Sequence, residues 1–291
     1  HFRGVRDVAA VWEGVHWADL VYIWFGSLHA FFGVLFARRL GKRSIVVAGG
    51  WDVGKSPDGM LYDWRKAWCP RYVVSHADLT LFVSKYNQHE ALGKLNGQVT
   101  QWELLYHGFE GEHFRPLDKV AREPAVLTVG NISKQSVRRK GQDIFVRSAQ
   151  YLPEIPFFVV GTWRDRTIDQ LRKDAPSNVQ FLGYLPDEEL LRLYNRVPIY
   201  VQLSSHEAFG CSVAEAMLCE CLPVVSREAA LPEVVGDCGI YADRTPESLA
   251  LAIREALQHP ELGPTARQRI LREFPFEARR DRLLELVLRV A

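Results

Sequence analysis

The chain carries almost no excess charge: 36 Lys and Arg stand against 35 Asp and Glu, a formal net of +1 at pH 7. Without a field of one sign it cannot steer a polyanion over its whole surface, which argues against extended nucleic-acid binding and makes any phosphate site a local one. Cysteine is sparse and odd in number. Cys69, Cys211, Cys219, Cys221 and Cys238 follow no zinc spacing and form no disulfide framework, so they read as reduced thiols and the compartment as the cytoplasm. The Cys219-Glu220-Cys221 pair lies in an apolar passage from helix to strand without a partner cluster, which favours inert burial over redox or metal chemistry. Long apolar runs are also missing: the longest, 28–37, stops at Arg38-Arg39, well short of a bilayer's thickness. The basic residues there, with Lys42 and Arg43, leave peripheral contact with an anionic membrane surface open, although compensation of a helix dipole explains them as well. No signal peptide, fixed-period repeat or low-complexity tract is visible, and the chain opens on His1 rather than methionine.

What is present is a set of short Val-, Ile- and aromatic-rich runs alternating with stretches of helical period, the pattern of stacked βα units and parallel sheets. The fold class is α/β, and 291 residues favour two domains. In the first part, strands are expected at 20–24, 44–48, 79–83 and 102–106, with helices near 28–40, 61–75 and 85–95. The irregular stretch 107–124 reads as an interdomain connection, giving a domain at 1–116 and another at 117–291. In the second, strands are expected at 125–129, 157–160, 179–182, 199–203, 222–225 and 239–241, with helices near 141–151, 164–174, 187–195 and 211–218. The tail from residue 246 is mostly helical, and its last helix is a candidate to pack back on the first domain. This second part is a complete doubly wound unit, whose ligands belong beyond the carboxyl ends of the strands.

The chemistry concentrates between Ile199 and Met217. A buried strand runs into the polar turn Glu207-Ala208-Phe209-Gly210, and a helix opens at once with Cys211-Ser212, so the free backbone amides there make an anion site. Glu207 precedes that helix and Glu215 lies on its second turn. Carboxylates repel phosphate but suit hydroxyls, so two acids flanking an anion site suit a ligand with polyol groups on both sides of a phosphate, which describes a nucleotide sugar. Taken alone, the pair reads equally as a capping glutamate and a solvated one.

With Phe209-Gly210 inside and Glu215-Ala216-Met217 closing, this spacing resembles the signature of the retaining family 4 glycosyltransferases, the glycosyl transferases group 1. Pro223-Val224-Val225 and Leu231-Pro232-Glu233-Val234-Val235 resemble that family's next strand and loop, and the likeness runs from about residue 104 to 259. It implies the GT-B fold, two Rossmann-like doubly wound parallel-sheet domains facing a cleft, and hexosyl transfer from a UDP-, GDP- or ADP-sugar to an acceptor that the sequence does not name. Carried over by position, Glu207 holds the transferred sugar, Glu215 holds the ribose, and the amides around Phe209 to Ser212 meet the diphosphate, with Ala208 among the donor-binding residues. Gly130-Asn131 and Arg138-Arg139-Lys140-Gly141 bound a loop in which Lys140 matches the family's lysine, while Asn131 replaces its arginine and leaves Arg139 or Arg138 to supply a second cation. Gly183-Tyr184-Leu185 resembles the base-contacting turn, and Gly161 reads as a tight turn near the same site.

In the first part, Tyr106-His107-Gly108-Phe109 followed by Phe114-Arg115-Pro116 resembles the family's entry into the connection between domains. The family's opening strand and glycine-rich loop have no counterpart ahead of Leu20, so that domain reads as incomplete, either through residues missing ahead of His1 or through a pared-down acceptor domain. At Gly49-Gly50-Trp51-Asp52 the family's histidine is absent; Asp52 or Trp51 is placed to contact acceptor or donor hydroxyls, with a plain strand-ending turn as the alternative, and Asp52 joins Glu207 and Lys140 as a catalytic candidate. No metal or other cofactor is expected, since cationic side chains take the role that magnesium plays elsewhere. A nucleotide-sugar epimerase of the same architecture and a non-catalytic nucleotide-sugar binder are the alternatives.

Overall fold

The structure is a computed structural model that describes residues 5–54, 59–61 and 63–291. It divides into two compact units: residues up to Gly108 together with Glu277–Ala291, and Phe109–Phe276.

The first unit runs α1 (Val5–Trp17), β1 (Leu20–Trp24), α2 (Leu28–Arg39), β2 (Arg43–Ala48), α3 (Trp68–His76), β3 (Leu79–Phe82), α4 (Lys85–Leu95) and β4 (Trp102–Leu104). Its four strands are parallel and lie in chain order, β1-β2-β3-β4. Every residue of β3, and all of β2 after Arg43, is buried, as expected of strands covered on both faces. Helix α1 goes beyond the sequence expectation, although its apolar residues Val8, Val11 and Val15 recur at helical spacing and pack against Phe36 and Ala37 of α2. The helix expected over 61–75 begins only at Trp68, with Tyr62 outside the described residues. Pro70 accounts for the late start: in the first turn its missing N–H is harmless, whereas in a helix begun at 61 it would remove an internal bond and clash with the carbonyl four residues back. Asp63 instead closes a turn, its carboxylate accepting the Arg65 N–H at 3.0 Å.

The second unit contains β5 (Val126–Val129), α5 (Lys134–Lys140), α6 (Gln142–Ser148), β6 (Phe157–Val160), α7 (Thr167–Asp174), β7 (Val179–Gly183), α8 (Asp187–Arg196), β8 (Ile199–Gln202), α9 (Cys211–Leu218), β9 (Leu222–Val225), α10 (Leu231–Val235), β10 (Ile240–Tyr241), α11 (Pro246–Leu257) and α12 (Leu262–Glu273). A final helix, α13 (Phe276–Val290), places its residues from Glu277 onward in the first unit. There Arg282 and Arg289 pair with Glu103 of β4 at 3.0 and 2.8 Å.

The six strands of the second unit are parallel in the order β10-β9-β8-β5-β6-β7. Phe157, Val159, Val201 and Val224 sit in its core with Phe145 and Ile253, each such buried side chain contributing about 1.5–3 kcal/mol. Two segments read from the sequence as loops are helical. The 131–140 stretch contains α5, started by a reciprocal cap in which the Ser133 hydroxyl accepts the Ser136 N–H at 3.2 Å and the Ser136 hydroxyl accepts the Ser133 N–H at 2.8 Å. It ends at Gly141, φ 71°, the left-handed conformation glycine adopts freely. The 231–239 stretch contains α10, with Pro232 in its first turn.

Candidate functional site

The strand order locates a crevice before any side chain is considered. From β5 the chain winds outward through β6 to β7, then returns to place β8 on the other side of β5, with Leu127 opposite Tyr200. The loops leaving β5 and β8 therefore flank the point where the strand order reverses, the carboxyl-edge position at which sheets of this kind bind ligands. The first loop leads through α5 to Lys140; the second carries 203–210.

Backbone contacts bring these segments together. The Arg139 carbonyl accepts the Ser205 N–H at 2.8 Å, and a Cβ on Gly141 would lie 2.7 Å from the Leu203 carbonyl oxygen. The result is that the Lys140 ammonium donates to Glu207 Oε2 at 3.2 Å, both side chains being under one-fifth exposed. Arg139 stands 3.9 Å from the same oxygen and donates to the His206 carbonyl at 3.1 Å. Gln202 Nε2 also donates to Oε2, at 2.9 Å, with the Ser204 hydroxyl at 3.5 Å. Burial works to raise the Glu207 carboxyl, but Lys140 and Arg139 outweigh it and hold the group below its ordinary range, ionised at neutral pH.

Helix α9 begins beside this cluster. Its N-cap is Gly210, φ 103°, which has no side chain to cap the amides of Cys211 and Ser212 at the positive end of the helix. Glu215 on its second turn accepts from the Tyr194 hydroxyl at 3.4 Å, and burial pushes its carboxyl up to about 7. Burial also raises the Cys211 thiol, to about 12, and the Tyr200 phenol, with both Glu215 and Glu207 adding to each shift. Both glutamates thus bear on Cys211 at the start of α9, and their charge disfavours a thiolate there.

The neighbouring strand ends complete the rim. Gly130 and Gly161 lie back to back: Gly161 has φ 147°, and a Cβ on it would fall 2.0 Å from the Gly130 carbonyl oxygen. Gly183 accepts the Gly161 N–H at 2.8 Å, and Tyr184 beyond it is 70% exposed, with Leu185 half-buried. The Trp163 indole lies 3.7 Å from where a Gly183 Cβ would stand, with the Arg172 guanidinium over its ring at 4.2 Å. Asn131, by contrast, is exposed, and its carbonyl accepts the Ser136 hydroxyl inside the helix cap.

Asp52 belongs to the first unit and is fully buried. Its Oδ2 accepts the Gly26 N–H at 2.6 Å, and burial raises its carboxyl against the opposing pull of the Gly26, Gly49 and Gly50 amides. Trp51 beside it is 46% exposed. The basic stretch after α2 is partly committed to structure: Lys42 donates to the His16 and Ala18 carbonyls, and Arg43 pairs with Asp78 at 2.8 Å. Among the described residues, no helix is long and apolar enough to cross a membrane, and no three His, Cys, Asp or Glu side chains gather as a metal site requires. Sequence reasoning missed Tyr200, Gln202 and Ser204, the polar residues behind Glu207. The one available signal was a glutamine within an otherwise apolar strand.

The sequence model of a family described as glycosyl transferases group 1 matches residues 109–270, more than half of the chain. Among curated proteins, O-antigen chain mannosyltransferase B of Escherichia coli is 38% identical over 99 residues, covering 33% of this chain and 26% of that protein. The GDP-mannose-dependent monoacylated alpha-(1-6)-phosphatidylinositol monomannoside mannosyltransferase of Corynebacterium glutamicum is 22% identical over 306 residues, 96% of this chain and 79% of its own. The match to the first of these spans about a quarter of the relative's length. Among solved structures, Anabaena Alr3699/HepE in complex with UDP and glucose superposes with a TM-score of 0.84 at 20% identity, covering 96% of this chain and 80% of that one. The sucrose-phosphate synthase of Thermosynechococcus elongatus gives 0.83 at 21% identity, over 97% and 76%. At these identities the likeness shows the fold, GT-B with two parallel-sheet α/β domains.

Proposed function

Because the chain belongs to the glycosyl transferases group 1 family, we propose that it moves a sugar from a nucleoside-diphosphate sugar to a hydroxyl acceptor, with retention at the anomeric carbon and with its own cations in place of a metal. The observation that carries this reading is the meeting of Lys140 and Glu207 across the β5/β8 crevice, beside the uncapped start of α9. In this reading the diphosphate takes the amides from Ala208 to Ser212 and the Lys140 ammonium, while Arg139 supplies the second cation in place of Asn131. The ionised Glu207 carboxylate accepts hydroxyls of the transferred sugar, and Glu215 those of the ribose. Gly130 and Gly161 give the ligand room for close approach, and the turn Gly183-Tyr184-Leu185 meets the base. Asp52, being buried, acts through the backbone of the Gly26 and Gly49-Gly50 turns rather than by touching the reacting atoms.

The bond between the anomeric carbon and the phosphate oxygen breaks as the acceptor oxygen arrives on the same face, and the departing phosphate takes the acceptor's proton. Fixed amides and a fixed ammonium suit that step, because they stabilise charge that develops on the leaving oxygen without having to reorganise. A thermal-shift panel of UDP, GDP and ADP tests the reading. At a hundred times its dissociation constant a bound nucleotide adds about 2.7 kcal/mol to stability, so one of the three is expected to raise Tm clearly. No shift with any of them at millimolar concentration would overturn the proposal.

A further inference from the structure

Behind the Glu207 carboxylate lies a chain of polar groups that the proposed reaction does not itself use. The Tyr200 hydroxyl donates to Gln202 Oε1 at 3.0 Å, and Gln202 Nε2 donates to the Ser204 hydroxyl at 3.1 Å and to Glu207 Oε2 at 2.9 Å. Tyr200, Gln202 and Ser204 are all buried, on β8 or just beyond it. The Tyr200 bond sets the orientation of the Gln202 amide: with its oxygen committed to the phenol, its NH2 must face the carboxylate. The donors from Gln202, Ser204 and Lys140 all converge on Oε2, and Oε1 receives none of them.

We propose that Gln202 is a positioning residue for sugar recognition: locked by Tyr200, it clamps Glu207 by Oε2 so that Oε1 is presented to the hydroxyls of the transferred sugar. This rests on the donor reading above and adds to it a residue that never meets the ligand. A floppy carboxylate would settle onto Lys140 with both oxygens and leave neither for the sugar. The amide is neutral, so it holds Oε2 without neutralising the charge that a hydroxyl donor needs opposite it.

The inference is tested by setting the binding of the bare nucleoside diphosphate, by calorimetry with whichever of UDP, GDP and ADP stabilises the wild type, against turnover of its glucose or mannose conjugate. In Gln202→Leu, affinity for the bare diphosphate is expected to stay within about threefold, while kcat for donor turnover falls roughly tenfold or more, the scale of one lost hydrogen bond to a charged group. Gln202→Glu separates positioning from mere packing. Lys140 and Arg139 keep Glu207 ionised, so at high pH the introduced carboxylate and that of Glu207 repel, and at low pH the introduced carboxyl takes up a proton and restores a donor to Oε2. Its activity relative to wild type is therefore expected to rise as pH falls, whereas Gln202→Leu stays low throughout. Wild-type kcat in a folded Gln202→Leu, or a Gln202→Glu/wild-type ratio that does not change with pH, would overturn the inference. Failure of the wild type to bind any of the three nucleotides would instead overturn the donor reading on which it rests.

Discussion

Replacing Lys140 by alanine tests the centre of the site. Across 3.2 Å the ammonium and the Glu207 carboxylate attract by roughly 5 kcal/mol at an effective dielectric constant near 20. Much of that offsets the desolvation of the two groups. Arg139 at 3.9 Å and Gln202 at 2.9 Å stay to hold the carboxylate, so the stability loss should be only about 2 kcal/mol. For a unit of this size that lowers Tm by about 4–8 °C, leaving the variant folded at assay temperature. Turnover should suffer more. If Lys140 meets charge that develops on the leaving phosphate, its loss removes about 3–4 kcal/mol of transition-state stabilisation, a fall of roughly 10²–10³ in kcat. Nucleoside-diphosphate release from the donor identified by thermal shift, measured at saturating donor, reads this directly. Lys140→Arg should recover part of the loss, since it restores charge with different geometry. A folded Lys140→Ala enzyme with kcat within twofold of wild type would refute the assignment, because the ion pair would then be purely structural.

Other outcomes follow from the same geometry. Glu215→Ala should weaken binding of the bare nucleoside diphosphate, checked by calorimetry, because its proposed partner is the ribose rather than the sugar. Its carboxyl is raised from 4.5 to about 7, so the folded state holds an extra proton between those values, and stability falls as pH rises through that window and levels off above it. Glu215→Gln should abolish this slope, making the variant's melting temperature relative to wild type higher at pH 8 than at pH 5. Gly161→Ala should cost about 3 kcal/mol or more in urea unfolding, since its Cβ would meet a backbone oxygen at 2.0 Å and its φ is 147°. Gly130→Ala should be far milder for stability but harmful to turnover, because its Cβ would meet the flexible Lys140 Cδ at 2.8 Å and push that side chain aside. Asp52→Ala should lower stability by about 1–3 kcal/mol in the same unfolding assay, through the orphaned Gly26 amide.

Much of the second unit could be read directly from the sequence, because buried parallel strands such as Phe157–Val160 and Leu222–Val225 must be continuous apolar runs. The Glu207 and Glu215 pair was legible for a different reason: a strand-to-helix turn calls for glycine, but packing alone gives no cause for two acids at fixed spacing around it. What escaped was structure made by local polar bonds. Helix α5 depends on two serines capping each other, where a glutamate would have given the familiar signature, and seven residues show too little periodicity to compensate. Pro70 is a helix-start signal hidden within the apolar pattern around it. Gln202 stands out as an oddity in its strand, but only the fold shows that its amide faces Glu207 while its oxygen is held by Tyr200.

The division of the chain has a consequence for biosynthesis. Phe109–Phe276 is one continuous stretch and can assemble as soon as it leaves the ribosome. The first unit, although most of it is translated earlier, receives Glu277–Ala291 only after that whole stretch has been made, and with it the arginines that clasp Glu103. Removing Glu277–Ala291 would therefore injure the unit whose other residues come earlier in the chain.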